Sequence, residues 1–259
     1  MQFTIGADPE VFVGDGVGVR SIIGKIGGTK ELPLPLLNLG EGFAVQEDNV
    51  ALEFNIPPSK HKAEFVAHIC KATDFLGMMV QNMFGYQLVH DSAISFPEAE
   101  LNVPAAHVFG CDPDYNAWTR ARNPRPKAKD KNLRSCGGHI HIGFDDLDPV
   151  EVVKACDLFL SVPASLMDKG ELRKQLYGKA GAFRKTVYGV EYRPLSNFWI
   201  FNQRLVEWAY DNTKRALEAV AAGYTFDSER ERILRAVDDN DKVTAGGLVH
   251  DYGLEVVNA

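Results

Sequence analysis

The chain opens on strand-like patterning and turns helical after about 60 residues. Phe3 to Val13 is β-rich and closes at Gly14-Asp15-Gly16, a turn signal. Val45 to Ile56 reads as another strand, stopped by Pro57-Pro58. From Lys60 to Phe84 the apolar residues Phe65, Val66, Ile69, Leu76, Met79, Val80 and Met83 fall at helical spacing, with Ser59 as N-cap and Gly85 as stop. Residues 86–110 read as extended and 111–134 as a long loop. Gly137 to Phe144 alternates like a strand. Asp148-Pro149-Val150-Glu151 is a capping box with proline at the first helical position, so a helix starts there and ends or kinks near Pro163. Val187 to Arg193 is a short strand. Ser196 to Ala222 is a long helix stopped by Gly223, and Ser228 caps another through Val237. Strands and helices do not alternate regularly, which favours an antiparallel α+β fold over a doubly wound one.

Composition narrows the class. The 259 residues are 45% hydrophobic, 24% charged and 10% aromatic, enough for a large core and far from a disordered or fibrous composition. No run of about 18 apolar residues occurs, so no membrane span is expected. The first residues lack a basic region followed by an apolar one, so a cytoplasmic location is expected. Cysteines 70, 111, 136 and 156 form no CxxC pair and read as reduced thiols. The net charge of −7 excludes a bulk basic field for nucleic acid but not a local patch. Such a patch exists: seven basic residues and one acid, Asp130, lie between Arg120 and Arg134. The loop reads either as a mobile solvated segment or as a lid or docking arm for an anionic acceptor.

Four segments place chemistry on strands. In Gly6-Ala7-Asp8-Pro9-Glu10 the two acids are two residues apart, which on one strand is one face. Glu53 interrupts the apolar run Ala51-Leu52-Glu53-Phe54, where a buried carboxylate needs a cationic partner. In Gly137-Gly138-His139-Ile140-His141-Ile142-Gly143 both imidazoles project from one face, opposite the isoleucines. Glu191 and Arg193 likewise share a face. Each fragment alone fits an ordinary solvated face or ion pair. Together, hard carboxylate oxygens with an imidazole suit Mg²⁺ or Mn²⁺, and only Cys136 offers sulfur, against a structural zinc site. Acids crowded onto one sheet face repel unless divalent cations sit between them. The run from Arg173 to Arg184, with Lys179 flanked by Gly178 and Ala180-Gly181, adds cations suited to a triphosphate. No GxxxxGK[ST] or GxGxxG pattern occurs.

The strings GADPEVF, QEDNVALEFNIPP, CGGHIHIGF and YGKAGAFRKTVYGVEYRPLSNFW span residues 6 to 199. In this order they resemble the carboxylate–amine ligases of the glutamine synthetase and glutamate–cysteine ligase superfamily. The nearest match is similar to its phage-type branch (COOH–NH2 ligase, type 2). The resemblance implies a curved antiparallel sheet, a glutamine synthetase catalytic-domain-like half barrel flanked by helices. It implies a single catalytic domain over 1–259, with the basic loop at 111–134 and a C-terminal helical extension at 224–259. It implies ATP and two or more Mg²⁺ (or Mn²⁺) ions. The metal ligands would be Glu10, Asp8, Asp48 (preferred over Glu47), Glu53, His139 and Glu191. Arg193, Arg184 and His141 would act on phosphate or substrate, and Lys25, Lys30, Lys179, Arg173 and Arg184 would bind the nucleotide.

The function implied is an ATP-dependent ligation of a carboxylate to an amine through an acyl phosphate. Its partners would be small-molecule carboxylate and amine substrates, a peptide or modified nucleic acid being an alternative acceptor, and no membrane. The cytoplasm would be that of an infected host cell if the chain is phage-encoded. Two other readings remain open at this point. One is a metal-dependent oxygenase or isomerase of the double-stranded β-helix type on His139, His141 and Glu191, for which the only late histidine is His250, expected in a glycine-rich tail beyond the helices. The other is a non-catalytic binding protein of ligase fold.

Overall fold

The computed structural model describes residues 2–107, 114–124 and 129–257, with only the backbone of Glu171 and Gln175. Short strands come first: β1 (Phe3–Ala7), β2 (Glu10–Gly14), β3 (Val19–Arg20), β4 (Leu34–Pro35), β5 (Ala44–Asp48) and β6 (Ala51–Ser59). Helix α1 (Lys62–Phe84) follows, then β7 (Gln87–Val89), β8 (Ala93–Ser95), β9 (Tyr115–Asn116), β10 (Ala121–Arg122), β11 (Leu133–Ser135) and β12 (Ile140–Phe144). Helices α2 (Pro149–Cys156) and α3 (Val162–Met167), strands β13 (Ala182–Lys185) and β14 (Gly189–Tyr192), and helices α4 (Gln203–Ala221), α5 (Arg230–Asp238) and α6 (Lys242–Asp251) complete the chain.

The fold is α+β. One large antiparallel sheet runs β10-β9-β13-β14-β12-β1-β6-β2-β3, with β5 and β4 branching from β6 and β7 pairing with β2; it is open at its edges. Strands β8 and β11 form a separate ladder. Alternation sorts the central strands into two faces. Ile140 and Ile142, Val190 and Tyr192, and Leu52 and Phe54 are buried in the core, where α1 packs on β6 and α2 on β13 and β14. The residues between them, His141, Glu191 and Glu53, take the other face. Register locks the arrangement: His141 lies opposite Glu191 and Gly6, and Glu10 opposite Glu53.

Several boundaries differ from expectation. The first strand breaks at Asp8-Pro9, giving β1 and β2 in place of one strand. The segment 45–56 is a hairpin that turns at Asn49, whose φ of 53° asparagine tolerates. Its second arm runs through both prolines, whose fixed φ is compatible with extended chain. His61, not Ser59, precedes α1, because Ser59 completes β6 and its hydroxyl lies 3.0 Å from His68 Nδ1. Asp148 caps α2 as expected, accepting from Val150 N at 2.8 Å. The helix then passes Pro163 through a π turn at Asp157–Ser161, which accommodates the missing N–H, and ends at Met167. The helix expected from Ser196 is a 3₁₀ segment, Asn197–Phe201, followed by α4; Asn202 adopts extended φ/ψ and caps α4 by accepting from Arg204 N at 2.9 Å.

The stretch expected as a loop contains β9 and β10, and β9 extends the main sheet beside β13. Residues 111–113 and 125–128 of that stretch, with Cys111, lie outside the described residues. Cys70, Cys136 and Cys156 are free thiols. Beyond residue 224, α5 and α6 pack against each other and against α3, so His250 sits in α6 and not in a tail. Among the described residues no helix is long and apolar enough to cross a membrane.

Candidate active site

The site forms where β1, β2, β6, β12 and β14 come together. Gly137 and Gly138 bring the chain into β12. A Cβ at Gly137 would lie 2.2 Å from His139 Nε2, and one at Gly138 2.3 Å from the Ser196 carbonyl, so only glycine admits this approach. Gly137 is tied to Glu10 twice: its N–H donates to Glu10 Oε2 at 2.7 Å, and its carbonyl accepts from Glu10 N at 2.9 Å. The Asn197 amide donates to the Glu10 carbonyl at 2.9 Å and the Trp199 indole to the Gly138 carbonyl at 3.1 Å. The short 3₁₀ segment thus braces the acid-bearing face, which explains why it is not part of α4.

Asp8, His139 and Glu191 each aim one ligand atom at a common point, all within 4.8 Å of one another. His139 Nδ1 lies 3.6 Å from Asp8 Oδ1 and 3.7 Å from Glu191 Oε1. Both histidines share a face, for His141 Nε2 lies 3.0 Å from the same Asp8 oxygen; the Tyr188 hydroxyl closes on the other His141 nitrogen. Glu191 is held by two guanidiniums, Arg184 at 2.7 Å and Arg193 in direct contact. Arg193 also pairs with Asp114 at 2.7 Å.

A cleft beside this cluster is lined by Glu10, Asp48, His139, Arg134, Arg173 and Arg193. Its enclosed volume of about 60 Å³ suits ions and a few waters. Glu53 is buried beside it, accepting from the Gln46 amide at 2.8 Å. Arg173 is buried and braced by the carbonyls of Pro194 and Arg193 at 2.8 and 3.3 Å.

Electrostatics divides the acids. Burial and the Asp48 charge lift the Glu10 carboxyl to about 8 against its bond from Gly137 and the pull of Arg173 and Arg193. Burial, with Asp8, Asp48 and Glu10 repelling it, raises Glu53 well above the usual range. For Asp8, burial works upward, but His141 and His139 prevail and hold it below that range. Glu191 is pushed up by burial and Asp8, yet Arg193, His139 and Arg184 keep it low. Burial and Arg193 lower His139, whereas Asp8 outweighs burial and raises His141. Cationic neighbours thus hold Asp8 and Glu191 low, while burial and mutual repulsion raise Glu10 and Glu53. This donor set, one imidazole among hard oxygens, fits a Mg²⁺-type cation.

The structure therefore brings Asp8, Glu10, Asp48, Glu53, His139, His141, Glu191, Arg173, Arg184 and Arg193 into one region. Glu47 faces away, accepting from the backbone N–H groups of Gly24, Ile26 and Gly27 at 2.8, 2.8 and 2.6 Å. Three lysines do not converge. Lys25 Nζ lies over the rings of Phe84 and Tyr86. Lys30 is exposed, and Lys179 is exposed with Nζ 3.2 Å from the Asp238 carbonyl. Sequence reasoning did not single out Asp114, Asn197, Gln46 or Tyr188, and read Arg134 only as part of the basic stretch. Asn197 and Tyr188 lie inside a string that drew attention for other residues; Asp114 carried no local signal.

An α+β protein with an acidic, arginine-edged cleft suited to a divalent cation is the class that fold and site define. Within it, residues 130–222 match the family model described as Phage phiEco32-like COOH.NH2 ligase-type 2, which suggests a carboxylate–amine ligase. The matched segment carries both histidines, Arg173, Lys179, Arg184, Glu191 and Arg193; Asp8, Glu10, Asp48 and Glu53 lie outside it. No curated protein matches the chain.

Proposed function

We propose that this protein is an ATP-dependent carboxylate–amine ligase working through an acyl phosphate with two or more Mg²⁺ or Mn²⁺ ions. The observation that carries this reading is the convergence of Asp8, His139 and Glu191, from three distant stretches, on one point beside Arg173 and Arg193. The open antiparallel sheet with one acid-bearing face supports a glutamine synthetase-like half barrel. Asp8, His139 and Glu191 would hold one ion, and Glu10, Glu53 and Asp48 another. Such ions, when bound, neutralise the triphosphate and the charge that develops at the γ-phosphorus.

In the first step a substrate carboxylate oxygen bonds to the γ-phosphorus, the bridging P–O bond breaks, and ADP departs. In the second the amine nitrogen bonds to the acyl carbon, the C–O bond to phosphate breaks, and the nitrogen loses a proton to give the amide. The chain's own part is positioning and charge. Arg193 and Arg184 hold Glu191 ionised and oriented, and Arg193 and Arg173 present buried guanidiniums to the phosphates. His141, set against Asp8, borders the acceptor side.

The donor set favours this reading over an iron oxygenase. That chemistry uses two imidazoles and one carboxylate, whereas here one imidazole meets two carboxylates and His141 pairs with Asp8. We place the work in the cytoplasm, on small-molecule substrates. A nucleic-acid acceptor docking on the basic stretch 120–134 would show binding that falls steeply with salt. The decisive experiment measures ADP and phosphate release from Mg²⁺–ATP against paired carboxylates and amines. Release that requires both substrates and is lost in Glu191→Gln is expected; no metal-dependent release with any pair refutes the reading.

A further inference from the structure

A second cavity, of about 410 Å³, lies on the same face of the sheet as the acids and shares His141 with them. That volume is in the range of small-molecule sites. Its floor is set by register. Thr4 lies opposite Gly143 and Gly6 opposite His141, so these four positions of β1 and β12 point to one side. Two of the four are glycines, which leaves a bare trough. Ile56, Pro57 and Pro58 wall it, and Tyr188 stands at the rim with His141.

The two glycines have different reasons. A Cβ on Gly143 would lie 2.5 Å from Thr4 Oγ1, so packing accounts for it. Gly6 has no such need. Its φ is not left-handed, and a Cβ there would meet Pro58 Cα, His141 Cβ and the Ile56 carbonyl at 3.6, 3.7 and 3.7 Å, ordinary contact distances. Glycine inside a strand weakens the strand. The vacancy at Gly6 therefore serves the trough and not the fold.

Charge separates this cavity from the cleft. The cleft is edged by Arg134, Arg173 and Arg193; among the described residues no Lys, Arg, Asp or Glu lines the trough. A carboxylate bound here would meet no guanidinium or ammonium of the described lining, and the one imidazole there, His141, is already set against Asp8. At the His141 end, by contrast, the trough runs toward the carboxylates of Asp8 and Glu191, which lie beyond the imidazole.

We infer that the trough binds the amine substrate of the proposed ligase, and that this substrate is a primary amine on an uncharged, ring-sized apolar body with no carboxylate beside the nitrogen. The inference rests on the ligase reading for the word substrate, but its test reads binding alone. The full chain, with Mg²⁺, is titrated with phenethylamine, phenylalanine and 3-phenylpropionate, followed by calorimetry and ligand-observed NMR. Phenethylamine is expected to bind, phenylalanine at least tenfold more weakly, and 3-phenylpropionate not to compete. Gly6→Val and, from the other end of the floor, Thr4→Phe are each expected to weaken phenethylamine at least tenfold. Gly6→Ala is expected to melt no lower than the wild type, and Mn²⁺ affinity in all three variants to stay within twofold, which separates a filled trough from a disturbed metal cluster. Equal binding of phenylalanine or 3-phenylpropionate, no binding of phenethylamine, or unchanged affinity in both filling variants overturns the inference. A chain that binds phenethylamine as described yet never turns over ATP overturns the ligase reading instead.

Discussion

Asp157 offers a test of the electrostatics away from the acid-bearing face. It sits in the π turn with no exposed surface. Its Oδ1 accepts from the Tyr192 hydroxyl at 2.8 Å and its Oδ2 from the Trp118 indole at 2.6 Å, with Ser161 Oγ 2.5 Å from the Tyr192 hydroxyl. Burial raises the carboxyl from an ordinary 3.8 to about 7 despite those two donors, with Asp238 adding to the rise. The folded state therefore keeps a proton that the unfolded chain releases. Its stabilising effect is complete below pH 3.8, declines as pH rises, and is gone above about 7. At about 1.4 kcal/mol per pH unit the whole window is worth about 4 kcal/mol, of which about 3 lies between pH 5 and 7. Asp157→Asn removes the titration and keeps the network: the amide oxygen accepts from Trp118, its NH₂ donates to Tyr192, and the tyrosine hydroxyl turns to Ser161. Urea unfolding of wild type and variant, followed by tryptophan fluorescence at pH 5 and pH 8, reads the difference. The variant should gain about 3 kcal/mol on the wild type between those values. Parallel stability curves would refute the argument that this carboxyl is buried at such a cost.

Arg193→Ala should lower ligase turnover by about a hundredfold or more, since one lost charge-stabilising donor is worth roughly 3–4 kcal/mol; circular dichroism checks that the fold persists, and near-normal turnover would remove Arg193 from phosphate stabilisation. Glu10→Ala and Glu53→Ala should fall as far, measured as phosphate release at saturating Mg²⁺. His139→Ala should weaken Mn²⁺ binding about tenfold or more and remove the imidazole nitrogen coupling from the bound-Mn²⁺ spin-echo spectrum; a retained coupling would assign the ligand elsewhere. Gly85, the left-handed cap of α1 with φ 72°, has open space around its Cβ position. Gly85→Ala should therefore cost only backbone strain, about 1 kcal/mol and about 2–4 °C in Tm, and an unchanged Tm would show that the cap is not held.

Local pattern determined a good deal of this protein. The alternation of Ile140, His141 and Ile142, and of Leu52, Glu53 and Phe54, follows from the pleat of a strand and needs no partner to predict, so which residues face the core and which the acid-bearing side was legible. The Asp148-Pro149 start and the Gly85 stop of helices depend only on neighbours in the chain. Tertiary structure decided the rest. Asp8-Pro9 broke the first strand: both halves pair with β6, but their other neighbours differ, β12 for β1 and β7 and β3 for β2. Asn197 left the expected helix to reach the Glu10 carbonyl. Asp114 found Arg193 across 79 residues, and Lys25 turned to Phe84 and Tyr86 instead of the cleft. A charged side chain costs little in any solvated direction, so its sequence neighbours do not choose its direction. Only the packed arrangement of strands, by removing water from one side, makes one partner for Glu191 or Arg193 worth more than all the others.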